Sequence, residues 1–419
     1  MVRLKEKRFQ LLNLSVCQSR QMGVKMKLNQ KKLARLEELL EEMVETKFVA
    51  GICCMVLQDG EEKCYYEAGY LDMANRIPIA RDTIFRLYSM TKPITSAAVM
   101  MLLEEGKIDL LDPVSKYLPG FRNQSVLRNG MPMPVSRPVT IQNLLNMTSG
   151  LVYGGESCAA EVRTGALFEE VTDRLLSSDA FTTIELINRL GQLPLAFEPG
   201  DRWQYGASAD VLGAVVEIVS GMRFGEFLEK RIFAPLGMKD TAFYVPEEKQ
   251  ARLSKVYESA PDGLRAYYGS HLGIQNRMET APAFESGGAG LVSTIDDYAA
   301  FTQMLLHNGS FRGVSLLSPK TVEFMTGSHL MPALQNQVLQ WESMPGYTYA
   351  NLLRIMTDPG IAVSMGSLGE YGWDGWLGPY MTNDPANRMT LLIMQQKTGS
   401  GTTEYTRKIR NLVFSSLES

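Results

Sequence analysis

Apolar residues recur at Leu33, Leu36, Leu40, Met43 and Val44 with Glu and Lys between them, which predicts an amphipathic helix over 29–47. The period then changes. The stretches "FVAGICCMVLQDG" and "KCYYEAGYLD" read as two strands joined at Gln58-Asp59-Gly60, a β-hairpin. Residues 108–285 read mostly as helical segments punctuated by Pro and Gly, among them "TIQNLLNMTSG", "TTIELINRLGQL", "DVLGAVVEIVSGM" and "FGEFLEKRIFAPLGM". "TIDDYAAFTQMLLHNG" is a further amphipathic helix. Strands return in "YGWDGWLGPYMTND" and "RMTLLIMQQ", and a helix over 402–417 closes the chain. This order predicts an α+β fold: a mainly antiparallel sheet built from both chain ends and flanked by helices, with an all-helical subdomain inserted. The expected boundaries are a poorly ordered extension at 1–27 and one domain over 28–419. Its α/β part is about 28–87 plus 286–419, and its helical part about 88–285.

Composition narrows the function. The 419 residues are 45% hydrophobic and 21% charged, the balance of a globular protein. A net charge of −4 offers no basic surface, so neither nucleic acid nor an anionic membrane is an expected partner. No stretch reaches the ~18 apolar residues of a membrane span, and the basic N-terminus lacks the apolar run of a signal sequence. A cytoplasmic protein is expected. Five cysteines (Cys17, Cys53, Cys54, Cys64 and Cys158), odd in number and without Cys-x-x-Cys, read as reduced thiols. Adjacent Cys53 and Cys54 should face opposite sides of their strand. His271, His307 and His329 lack metal-ligand spacing and read as loop or surface residues. The glycines of "GGAGL", 287–291, read as a backbone turn.

The segment "RLYSMTKPITSAAVMMLLEEG" places Ser89 three residues before Lys92 at a helix start. Ser is an ordinary helix cap and Pro93 is tolerated in a first turn, so the pair alone is ambiguous. Ser89 is nevertheless the only serine three places before a lysine. One helical turn would put both side chains on one face, near the positive end of the helix dipole. A lysine neutralised by burial could take the serine proton.

Six stretches in order resemble the serine β-lactamase-like family, in its class C β-lactamase and family VIII carboxylesterase branches. They are "FRLYSMTKPITSAAVMMLLEEGKIDLLDPVSKYLPGF", "TIQNLLNMTSGL", "FEPGDRWQYGASADVLGAVVEIVSG", "PLGMKDTAF", "GGAGLVSTIDDYAAFTQMLL" and "GWDGWLGPYMTNDP". The resemblance spans about 44–417 and implies a β-lactamase/transpeptidase-like fold with no metal or organic cofactor. It implies Ser89 as nucleophile, Lys92 as its base, and Tyr205 as a phenolate base or proton shuttle. The phenol pKa would then be lowered by the nearby ammonium. The family's Tyr-x-Asn is Tyr205-Gly206-Ala207 here, so Ala207 stands where an amide would hold a β-lactam side chain. Lys397-Thr398-Gly399 spells the family's third motif, but the residues after it suffice only for a helix. Trp373-Asp374-Gly375 has the expected sequel and is taken as the motif, with these three residues and Ala207 in substrate binding. The backbone N–H groups of Ser89 and Trp376 would form the oxyanion hole. Lys397 would return near the motif strand and line the rim of the site.

The resemblance implies a serine carboxylesterase acting on small esters, with a small-molecule ester or lactam as partner. A β-lactamase, a D-peptidase or amidase, an acyltransferase and a non-catalytic penicillin-binding sensor are the alternatives.

Overall fold

A computed structural model of the protein describes residues 26–128 and 130–419. The first helix, α1 (Arg35–Glu45), buries Leu36, Leu39, Leu40 and Met43, the face expected from their spacing. A separate turn, Gln30–Leu33, precedes it. The hairpin follows as β1 (Gly51–Gln58) and β2 (Glu61–Asp72). Asp59 and Gly60 between them both have positive φ, the geometry a two-residue hairpin turn requires.

Further on come α2 (Thr91–Glu104), α3 (Ser208–Ser220), α4 (Ile295–Leu306) and a short α5 (Pro332–Val338). The C-terminal part carries β4 (Tyr347–Ala350), β5 (Leu353–Met356), β6 (Tyr371–Asp374), β7 (Tyr380–Asp384), β8 (Met389–Gln395) and α6 (Glu404–Ser415). With β3 (Ile77–Pro78) on its outer edge, the sheet has eight antiparallel strands in the order β4-β5-β6-β7-β8-β1-β2-β3. Both chain ends therefore build one sheet, as the pattern predicted.

The sheet separates two apolar layers. Cys53, Met55, Leu392 and Met394 face the large core that contains α2, α3 and α4. Cys54, Val56, Leu391 and Ile393 face α1 and α6. Cys53 and Cys54 thus lie on opposite faces, as strand alternation requires.

Four expectations need correction. "YGWDGWLGPYMTND" is not one strand but two, β6 and β7, joined by a tight loop at 375–379. The block 108–285 is not helical throughout, since hairpins Ser125–Arg128/Met131–Pro134 and Tyr257–Ala260/Gly263–Ala266 interrupt it. "FGEFLEKRIFAPLGM" winds as α-helix over Phe224–Leu228, then as a π-turn over Glu229–Phe233. Pro235 just after it has no N–H to donate back to Arg231, which breaks the regular ladder. The N-terminal boundary also moves, because Lys27 and Leu28 pair with Glu418 and Leu417. Residues 1–25, with Cys17, lie outside the described residues.

No helix among the described residues is long and apolar enough to cross a membrane. Cys53, Cys54 and Cys64 are free, buried thiols.

One buried ion pair ties α6 to the sheet. Arg410 donates to Glu370 Oε1 at 2.5 Å, to Tyr380 Oη at 2.7 Å and to Met365 O at 2.7 Å, with both charged side chains essentially unexposed. Removing one partner of such a pair leaves an uncompensated charge, which typically costs ~3–5 kcal/mol. Arg410→Met should lower the unfolding free energy by about that amount in urea melts. A loss under ~1 kcal/mol would mean that Glu370 is satisfied without the arginine.

Candidate active site

The segment before α2 sets the site. Tyr88–Met90 form a single 3-10 turn, and Tyr88 takes a positive φ of 44°. A non-glycine residue in that region stores strain, which here falls immediately before Ser89. The helix is capped by Met90 with no side-chain bond, so the ordinary reading of Ser89 as a helix cap fails. Lys92 is fully buried, and its Nζ donates to Ser89 Oγ at 3.1 Å, to Tyr153 Oη at 3.3 Å and to Gly288 O at 2.8 Å. Burial lowers the ammonium pKa to about 7, against the opposing pull of the Asp210 and Asp374 carboxylates.

The "GGAGL" turn does more than reverse the chain. Gly288 O receives Lys92, Gly287 O receives Thr95 Oγ1 at 2.6 Å, and Leu291 N donates to Thr91 Oγ1 at 3.1 Å. These bonds lay the loop along α2. A Cβ on Gly287 would stand 2.4 Å from Ala209 O, and one on Gly288 2.8 Å from both Tyr153 Oη and Asp210 Oδ2. Only glycine passes between α2 and α3 there. Asp210, buried on α3, accepts from Ser286 Oγ at 2.5 Å and from Gly288 N at 3.0 Å, which fixes the residue whose carbonyl receives Lys92.

Tyr205 lies across from the pair, its ring centroid 4.6 Å from Lys92 Nζ. Trp373 Nε1 donates to Tyr205 Oη at 3.1 Å. The expected lowering of the Tyr205 pKa does not occur. Burial pushes it well above the usual phenol value, although contacts with the Ser89 hydroxyl and the Trp373 indole pull the other way. Burial thus favours the protonated phenol at Tyr205 and the neutral amine at Lys92.

β6, which carries Trp373 and Asp374, packs beside the Tyr88–Met90 turn, and its side chains differ from expectation. Trp373 is 2% exposed and packs on Tyr205 and Tyr349, so it holds Tyr205 rather than forming a substrate wall. Asp374 is tied to Arg354 at 2.8 Å. A Cβ on Gly375 would stand 2.2 Å from Leu87 O and 2.8 Å from Pro379 Cγ, so glycine there seats the β6–β7 loop against the Ser89 segment rather than clearing space for an acyl oxygen. The Trp376 N–H donates to no acceptor among the described residues, and its ring packs on Tyr88 at 5.0 Å and His271 at 4.2 Å.

Two assigned residues are not in the cleft. Ala207 is completely buried in the core at the start of α3. Lys397 Nζ sits 4.0 Å over the Phe48 ring, in the layer of α1 and α6 on the far face of the sheet.

Tyr153 was not singled out in the sequence. It lies in a loop two residues beyond "TIQNLLNMTSGL", with no periodicity to mark it, and only the fold brings it to Lys92. No group of three or more His, Cys, Asp or Glu is placed to hold a metal ion among the described residues.

A model of the family described as Beta-lactamase matches residues 36–413. Protein Rv1367c of Mycobacterium tuberculosis is 33% identical over 371 residues, covering 85% of this chain and 88% of that protein. Esterase EstB of Burkholderia gladioli is 29% identical over 385 residues, covering 88% and 91%. Among solved structures, EstCE1, a hydrolase with promiscuous acyltransferase activity, superposes with a TM-score of 0.78 at 26% identity, covering 92% of this chain and 99% of that one. The sheet, its helical layers and the cleft between them are those of the β-lactamase/transpeptidase-fold hydrolases. The chain belongs to the beta-lactamase family, as a hydrolase with esterases among its relatives.

Proposed function

We propose that the protein is a serine hydrolase that forms an acyl-enzyme on Ser89 and acts on small carboxylic esters. The observation that carries this is Lys92: fully buried, with its pKa brought down to about 7, and 3.1 Å from Ser89 Oγ. Lys92 takes the hydroxyl proton as Oγ attacks the ester carbonyl carbon. The oxyanion is received by the backbone N–H groups of Ser89 and Trp376, the second of which has no protein acceptor among the described residues. When the C–O bond breaks, Tyr205 gives its proton to the departing alkoxide and recovers one from the Lys92 ammonium. Water then attacks the acyl-enzyme along the reverse path and releases the acid. An alcohol in place of water gives acyl transfer, an activity named for the structural relative EstCE1.

Esters should be preferred to β-lactams. A penicillin or cephalosporin brings a carboxylate, and the buried cation beside the motif strand is already engaged. Arg354 is paired with Asp374, and Lys397 faces the opposite layer. A missing charge-assisted bond costs ~1.5–3 kcal/mol. Accordingly kcat/KM for p-nitrophenyl acetate or butyrate should exceed that for a chromogenic cephalosporin by at least roughly tenfold on one preparation. Equal or reversed values would make the protein a β-lactamase.

A further inference from the structure

Beside the catalytic tyrosine runs a groove that the mechanism above leaves unused. Its walls are Trp203, Tyr205, Gln337, Gln340 and Trp341, with Arg202 and Gln204 at the rim, and it encloses about 530 Å³. That is within the range of sites for ring-sized ligands. Trp341 follows α5 and places its ring 5.1 Å from Tyr205 and 5.4 Å from Trp203, both edge-to-face. Unlike Trp203 and Trp373, which are 5% and 2% exposed, Trp341 keeps 39% of its surface open. The segment is anchored, since Gln337 Oε1 accepts from Trp203 N at 2.7 Å. A large aromatic ring is thus held at the mouth of the groove with an open surface.

The position of Tyr205 says which half of the ester lies there. The group that protonates the departing oxygen must sit against the leaving group, and this groove begins on the ring of that group. We infer that the Trp203–Tyr205–Trp341 groove binds the alcohol part of the substrate, and that Trp341 makes the enzyme selective for esters of aromatic alcohols. Ring-on-ring packing in offset or edge-to-face geometry supplies the selectivity, which a small alkyl alcohol cannot exploit. This rests on the roles given above to Ser89, Lys92 and Tyr205.

The test compares two acetates, 2-naphthyl and ethyl, on the wild-type protein and on Trp341→Ala and Trp341→Phe. The acyl group is the same in both esters, so only the alcohol differs. Trp341→Ala should lower kcat/KM for 2-naphthyl acetate about tenfold while changing ethyl acetate less than about twofold, and Trp341→Phe should restore most of the loss. Equal losses on both esters would overturn the inference. So would selectivity that follows acyl length in a series of vinyl esters, because that places the acyl chain in the groove. A calorimetric titration with 2-naphthol keeps this distinct from the proposed function. Weaker binding by Trp341→Ala supports the groove even if no ester is hydrolysed, and unchanged binding counts against it even if Ser89 is the nucleophile.

Discussion

Ser89→Ala should abolish hydrolysis, with kcat/KM falling roughly 10⁴-fold or more, the scale seen when a covalent nucleophile is removed. The loss is this large because nothing beside Ser89 can replace it. The Tyr153 hydroxyl, which shares its Lys92, and that of Tyr205, whose ring lies by the same amine, are phenols held well above their usual pKa by burial. Neither is a ready nucleophile near neutral pH. A fluorophosphonate probe followed by peptide mass spectrometry should place its label on Ser89, where Oγ displaces fluoride from phosphorus, and the variant should stay unlabelled. A label on another serine, with activity surviving in Ser89→Ala, would remove the proposed mechanism.

Lys92→Met should cost roughly 10²–10⁴ in kcat, the usual worth of a general base, without emptying the buried volume the lysine fills. The pH profile makes the same point without a mutation. Burial lowers the Lys92 pKa, so the neutral amine required as base predominates above about 7 and is lost below it. Wild-type kcat/KM should therefore rise with pH through about 7, and the residual rate of Lys92→Met should lack that limb. A rising limb retained in Lys92→Met would assign the titration to another group. Asp210, whose carboxyl burial pushes up from the usual carboxylate range, is the group such a limb would point to.

Much of this site could be read from the chain. The hairpin was legible because Asp59-Gly60 is a turn with a mechanism, and the Ser89–Lys92 pair because three residues along a helix start bring two side chains together. Lys397 shows a signal that was present and misread. Met389, Leu391 and Ile393 share the face that meets α1 and α6, and Lys397 has the same parity along the strand, so alternation already pointed it away from the cleft. Ala207 is similar, as "ASADVLGAVV" is small or apolar at every position but Ser208 and Asp210 and reads as buried. Tyr153, the Gly288 carbonyl and Trp341 were not legible in this way. Each lies in or beside a loop, and its meeting with Lys92 or Tyr205 depends on how three distant segments pack. The direction of the Tyr205 shift was also hidden, because it depends on how completely the surrounding aromatic rings exclude water.

The pairing of β1 with β8 bears on how the molecule is made. All eight residues of β1 are buried, and its register partners, from Gln58↔Met389 to Ile52↔Gln395, follow only after the whole helical block in the sequence. Until they are made, the β1–β2 hairpin carries an unpaired, apolar flank, the kind of edge that templates association between chains. Gly288 and Trp373 likewise reach α2 only late. A fragment that stops short of Met389 keeps both Ser89 and Lys92, yet its raw flank should send it to the insoluble fraction on expression, so that low activity there would report on aggregation and not on the enzyme.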